Sequence, residues 1–166
     1  MHHHSGLTLV ELMVAVSVFA IMATTGVPAM AYFISSQHQL STKDALISSL
    51  RTARDEAQRR SIPVMVCPAA TDGNLCSTNW SDGWLVYIDN DGDSKFGSGD
   101  ILLERHLDPN GAPVATTTAE LQFRANGMAS QTQFNVCSDG NRSTPYQIAV
   151  TSTGRVYVEE KSSANC

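Results

Sequence analysis

Hydrophobic and polar positions change rhythm three times along the chain. From Leu12 to Ile34 no charged residue occurs in 23 positions, more than the ~20 that an α-helix needs to cross a ~30 Å hydrocarbon layer. The pattern predicts a membrane helix over residues 7–34. A polar stretch, SSQHQLSTKD, follows, and then Leu46, Leu50, Ala53 and Ala57 recur at helical spacing. This predicts an amphipathic helix over 35–61 that continues the first and has its apolar face covered by a sheet. Asp55 with Arg59 and Glu56 with Arg60 stand at i, i+4 in the favourable orientation. Pro63 stops the helix, and the rhythm changes to period two in the runs 62–67, 84–88, 101–105, 121–124, 134–137, 146–150 and 155–158, separated by Gly, Pro, Asn and Asp. Residues 62–166 therefore read as a β-rich domain. The fold class is α+β, a long N-terminal helix packed on antiparallel strands.

Composition narrows the picture. Of 166 residues, those after the apolar segment, about 130, suffice for one modest core. A net charge of −5 with 16% charged residues leaves no bulk polyanion affinity, so any nucleic-acid site would have to be local. The four cysteines, Cys67, Cys76, Cys137 and Cys166, are even in number and none is spaced C-x-x-C. That spacing argues against zinc or thioredoxin-type chemistry and for two disulfides in an oxidising compartment. Three pairings are open, besides four free thiols; sequence proximity favours Cys67 with Cys76, which leaves Cys137 with Cys166. The opening MHHHS carries no weight in the reading.

One carboxylate, Glu11, lies near the start of the apolar segment. A charge at that depth costs about 2–3 kcal/mol unless it is neutralised, and the segment offers no Lys, Arg or His. The cationic partner would be an α-amino group, the chain's own or a neighbour's; the alternative is a carboxylate at headgroup level, favoured by the helix dipole. Gly6-Leu7-Thr8-Leu9-Val10-Glu11, followed by an apolar helix containing Pro28, resembles the prepilin signature of type IV pilins and type II secretion pseudopilins, with Leu7 where that family usually has Phe. The resemblance implies a leader over 1–6, cleavage after Gly6 by a prepilin peptidase, N-methylation of Leu7, and Glu11 meeting the amino terminus of an adjacent subunit in a filament. Pro28 would remove a helix hydrogen bond and kink the segment.

Three further stretches, ARDEAQRRSIPVMVC (53–67), NWSDGWLVYIDNDGD (79–93) and TGRVYV (153–158), resemble the helix end, tryptophan-bearing strand and last strand of the GspH/FimT family of minor pilins and pseudopilins. The resemblance implies the type IV pilin fold and a minor pilin that acts in pilus assembly initiation or at the pilus tip. It implies other minor and major pilins as partners, and a single pass of the bacterial inner membrane with the C-terminal domain in the periplasm. The alternatives are a DNA-binding minor pilin for natural transformation and a GspH-type pseudopilin of type II secretion. Some FimT-type members bind DNA through a basic segment of the form G-R-x-R. Here Gly154-Arg155-Val156-Tyr157 lacks the second arginine, and Glu159 and Glu160 intrude before Lys161, which weakens a contact resting on Arg142, Arg155 and Lys161.

Asp89, Asp91, Asp93 and Asp100 occupy positions 1, 3, 5 and 12 of a calcium-loop spacing. Ser94 at the glycine position, Asp100 in place of a longer Glu, and the lack of a preceding helix favour a plain acidic turn, so no cofactor is expected. Trp80 and Trp84 read as packing residues. His38 and His106 stand isolated, and no catalytic constellation or phosphate loop occurs. The reading is of a protein that is not an enzyme.

Overall fold

The amphipathic stripe and the apolar segment form one helix, α1, Leu9–Arg60, of 52 residues. The computed structural model describes residues 8–108, 110–138, 140, 143–160 and 166, apart from the side chains at 25–29 and 160. The chain divides into two units, Met1–Ile34 and Ser35–Cys166.

In the first unit the described apolar side chains, among them Leu9, Leu12, Phe19 and Ile21, are exposed. The hydroxyls of Ser17 and Thr24 donate back to the carbonyls of Met13 (2.7 Å) and Ile21 (2.9 Å), which satisfies them without an outside partner. Among the described residues no helix is long and apolar enough to cross a membrane. Leu7, and the side chains at 25–29 in the middle of the expected 7–34 span, lie outside them.

Among the described residues the second unit packs the rest of α1 against eight strands: β1 Val64–Pro68, β2 Gly83–Ile88, β3 Ile101–Leu107, β4 Val114–Ala115, β5 Leu121–Phe123, β6 Thr132–Val136, β7 Tyr146–Val150 and β8 Val156–Glu160. All seven expected runs became strands; β4, too short to carry a period, was not foreseen. The strands divide into two antiparallel sheets, ordered β3-β2-β1-β5 and β4-β6-β7-β8. Both sheets converge on one helix face: Leu46, Leu50, Ala53 and Ala57 are fully buried, with Val64, Val66, Trp84, Val86 and Phe123 from the first sheet and Phe134, Ile148 and Val150 from the second. Each buried Leu of this kind stabilises the fold by roughly 1.5–3 kcal/mol. The opposite face of the first sheet buries Met65, Cys67, Ala69, Leu85 and Tyr87 under Cys76 and Phe96. Two loops supply that cover, one closed by the Cys67–Cys76 disulfide and one being the acidic stretch.

Glycine is required at two places. At Gly83, with φ +124°, a Cβ would lie 2.1 Å from the His106 carbonyl, where β2 meets β3. At Gly154, with φ +73°, it would lie 1.8 Å from the Gly127 carbonyl, where the turn before β8 rests on the turn after β5. Any other residue would force the backbone apart.

Candidate functional site

The residues singled out by the sequence fall into four groups. The first is the start of α1. Thr8 and Glu11 cap each other: the Glu11 N–H donates to Thr8 Oγ1 (3.2 Å), while Glu11 Oε2 accepts from the Thr8 N–H (3.0 Å) and hydroxyl (3.1 Å). This is a capping box, T-x-x-E, and it satisfies two donors that a helix start leaves orphaned. Glu11 thus has a local partner in the single chain. Gly6 and Leu7 lie outside the described residues; Pro28 lies inside α1, its side chain outside them.

The second group is the cysteines. Cys67 joins Cys76, with Cα atoms 5.7 Å apart, and Cys137 joins Cys166, at 5.8 Å. Cys137 follows β6 directly, at the end of the sheet near Gln39 of α1. Gln39 is buried, donates from Nε2 to the carbonyls of Val136 (2.9 Å) and Thr144 (3.1 Å), and accepts from the Ser143 hydroxyl (2.5 Å). Beside it the Ala112 N–H donates to Thr42 Oγ1 (3.0 Å), and His38 Nδ1 donates to the Asn110 carbonyl (2.7 Å). Sequence reading missed this polar grip. Its signal was available, because Ser35, Gln39 and Thr42 extend the period of Leu46, Leu50, Ala53 and Ala57 backwards.

The third group is the acidic loop between β2 and β3. Carboxylate oxygens of Asp89, Asp91 and Asp93 lie within 4.8 Å of one another. Asp100 does not join them: its oxygens accept from the N–H groups of Asn90 (2.9 Å) and Gly97 (2.8 Å), closing the loop. Asp89 is likewise engaged, by the N–H groups of Gly92 (2.7 Å) and Ser94 (3.0 Å). Ser94 takes φ +59°, the left-handed conformation that a calcium loop gives to glycine. The loop fastens to the sheet through Phe96, 5.2 Å from the Tyr87 ring. Burial first, then the carboxylates of Glu120, Asp89, Asp100 and Asp93, push the Tyr87 phenol far above its usual range.

The fourth group is basic. Arg155 is exposed just before β8. Its turn lies against α1, where Arg54 Nη2 donates to the Thr153 carbonyl (3.4 Å), and against the turn after β5 that begins at Arg124. Arg142 and Lys161 lie outside the described residues. On α1, Arg59 binds both oxygens of Glu56, each at 2.6 Å, and Arg60 binds Glu56 at 2.5 Å. The expected Glu56–Arg60 pair is formed. The expected Asp55–Arg59 pair is not, because Glu56 takes the Arg59 guanidinium in a two-point grip. Trp80 and Trp84 are both buried, as expected: Trp80 Nε1 donates to the Thr118 carbonyl (2.8 Å) and the ring meets Phe134 edge-on, while Trp84 stacks on His106 at 4.3 Å.

A long N-terminal helix with a capped carboxylate at its start, packed through its second half on antiparallel sheets, defines a pilin-type subunit. A family model described as the type II transport protein GspH matches residues 43–154, and one described as the prokaryotic N-terminal methylation motif matches residues 1–27. The chain belongs to the GspH family of minor pilins and pseudopilins, which are structural subunits and not enzymes. In fold it resembles the type IV minor pilin FimU of Pseudomonas aeruginosa in two crystal forms. One aligns with a TM-score of 0.59 at 20% identity over 76% of this chain and 92% of FimU, the other with 0.56 at 20% over 72% and 91%. The minor pseudopilin EpsH of the Vibrio cholerae type 2 secretion system aligns with a TM-score of 0.48 at 10% identity over 73% and 94%. No curated protein matches the chain in sequence.

Proposed function

We propose that the chain is a minor pilin, held in the bacterial inner membrane by residues 7–34 with its β-rich part in the periplasm, that enters a type IV pilus and acts in assembly initiation or at the tip. The observation that carries this reading is Glu11, the single carboxylate of the apolar segment. In the lone chain Thr8 occupies it; in a filament the freed amine at Leu7 of a neighbouring subunit, after cleavage at Gly6 by a prepilin peptidase and methylation, supplies the counter-charge. Leaving the lipid and joining the filament are then coupled, because the charge pair exists only between stacked subunits. The fold shared with FimU and the methylation motif support the reading. Pro28 gives the segment a place to bend during that transfer, and no cofactor is required.

Glutamine serves the capping box as well as glutamate does, so Glu11→Gln keeps the helix start and removes only the charge. The variant is expected to stay in the membrane fraction and to be absent from sheared pili, as judged by immunoblot. Incorporation at the level of the unmodified protein would overturn the reading.

Two observations favour other readings. The turn that presents Arg155 gathers Arg54 and Arg124 at the same end of the fold, which favours contact with DNA during uptake. Glu159 and Glu160 oppose it. Gel shifts with the full chain in detergent across a salt series decide the point: retention at micromolar protein that fades with salt supports the receptor reading, and none discards it. The family description favours a pseudopilin of type II secretion, which a secretion assay in a deletion strain separates from a pilus count.

A further inference from the structure

The two sheets end in four strand edges, and three of them are blunted. β4 has two residues, β5 has three, and β8 closes on Glu159 and Glu160; shortness and charge both discourage pairing with another chain. The fourth edge, β3, is different. At seven residues it is the longest described strand, and it pairs only with β2. Among the described residues no hydrogen bond reaches its outer side.

The side chains along β3 are sorted by face. Glu104 accepts from the buried Ser49 hydroxyl of α1, and His106 stacks on Trp84, so both point toward the helix. The register shift between Val86 and Tyr87 leaves Leu103 as the extra residue, partly packed on the same core. Leu102 opposite Tyr87, Arg105 opposite Leu85 and Leu107 opposite Gly83 occupy the other face, and all three are exposed. Among the described residues Arg105 makes no ion pair; its stem lies beside the Gly73 turn, and its charge helps, after the hydrogen bonds from Asn74, to lower the Asp72 carboxyl.

We infer that the free edge of β3 receives an extended segment of a different subunit as an added strand, with an acidic side chain over Arg105 and apolar side chains over Leu102 and Leu107. A second copy of this chain is a poor occupant. Antiparallel self-pairing centred on β3 sets Glu104 against Glu104 of the copy or Arg105 against Arg105, and like charges directly opposed destabilise a strand pair. An acidic–apolar strand meets no such conflict: its backbone satisfies the open row of N–H and C=O groups, and its carboxylate faces Arg105, which makes no ion pair among the described residues. This inference stands whether the chain serves a pilus or a secretion machine.

Hydrogen–deuterium exchange of the full chain in detergent micelles tests it, with two blocked peptides as probes: Thr-Val-Thr-Glu-Thr-Val-Thr, and the same sequence with a central Lys. The expected result is about five-fold slower exchange of β3 amides at millimolar Glu peptide, and little change with the Lys peptide. Arg105→Glu, an exposed substitution, should reverse the preference. The inference is overturned if neither peptide slows exchange, if both do so equally, or if Arg105→Glu leaves the preference in place. It is also overturned if β3 becomes protected with rising protein concentration alone, since the occupant would then be a second copy.

Discussion

The seam that α1 turns toward the sheets has two halves with the same spacing and different physics. From Leu46 to Ala57 the row of Leu46, Leu50, Ala53 and Ala57 buries only carbon, against both sheets, with the buried Ser49 hydroxyl beside it donating to Glu104. From Ser35 to Thr42 the same rows bury Ser35, Gln39 and Thr42; Gln39 and Thr42 make hydrogen bonds with backbone groups near 110–112 and 136–144, while the Ser35 hydroxyl has no partner among the described residues. Apolar packing is strong but indifferent to small slides, because it depends on area removed from water. Hydrogen bonds add little net energy yet fail steeply with misalignment. The apolar half therefore supplies most of the adhesion, and the polar half fixes where along the sheets the helix stops.

The largest expected effect comes from the apolar half. Leu50→Ala should lower unfolding stability by about 2–5 kcal/mol, read from urea denaturation with an unchanged m-value. A loss no greater than that of a polar-half variant would undo the contrast. Next comes Gln39→Ala, which strands the carbonyls of Val136 and Thr144 and should cost about 1–3 kcal/mol. Its loss of exchange protection should be confined to residues near 110–112 and 136–144, while β1 and β2 stay protected. Global loosening would mean that the two halves are not distinct.

The smallest effect lies on the solvent side of the apolar half. Hydrogen bonds from Arg59 and then Arg60 hold the Glu56 carboxyl below its usual range. A carboxyl lowered on folding contributes stability above its unfolded pKa of about 4.3 and loses it as pH falls through the folded value. The contribution should therefore vanish only under acid conditions, and Glu56→Gln should slightly flatten the acid limb of a pH–stability curve. The pair is exposed, so a large change at neutral pH would contradict the description.

How much of this was legible in the sequence follows from what each interaction needs. Leu46, Leu50, Ala53 and Ala57 could be read because apolar burial leaves a period, and Cys67 with Cys76 because loop closure favours near neighbours. The buried row of Ser35, Gln39 and Thr42 keeps the same period, but the partners of Gln39 left no trace: they are backbone carbonyls 97 and 105 residues away, and every residue has one. Arg59 chose between two carboxylates one position apart, a choice made by side-chain geometry that spacing rules do not resolve. The acidic loop was legible in part. Its spacing brought Asp89, Asp91 and Asp93 together, but a carboxylate that closes a turn leaves the same letter in the sequence as one that faces outward, so the use of Asp100 on Asn90 and Gly97 stayed hidden.

The contact between Gly154 and Gly127 has a practical side for anyone wishing to watch such subunits in living cells. Two loop tips that touch backbone to backbone have no room for an inserted epitope or dye-binding sequence, although both look like ordinary surface hairpins. Gly97, with nothing within 4 Å of where a side chain would begin, offers the roomier place to graft a label.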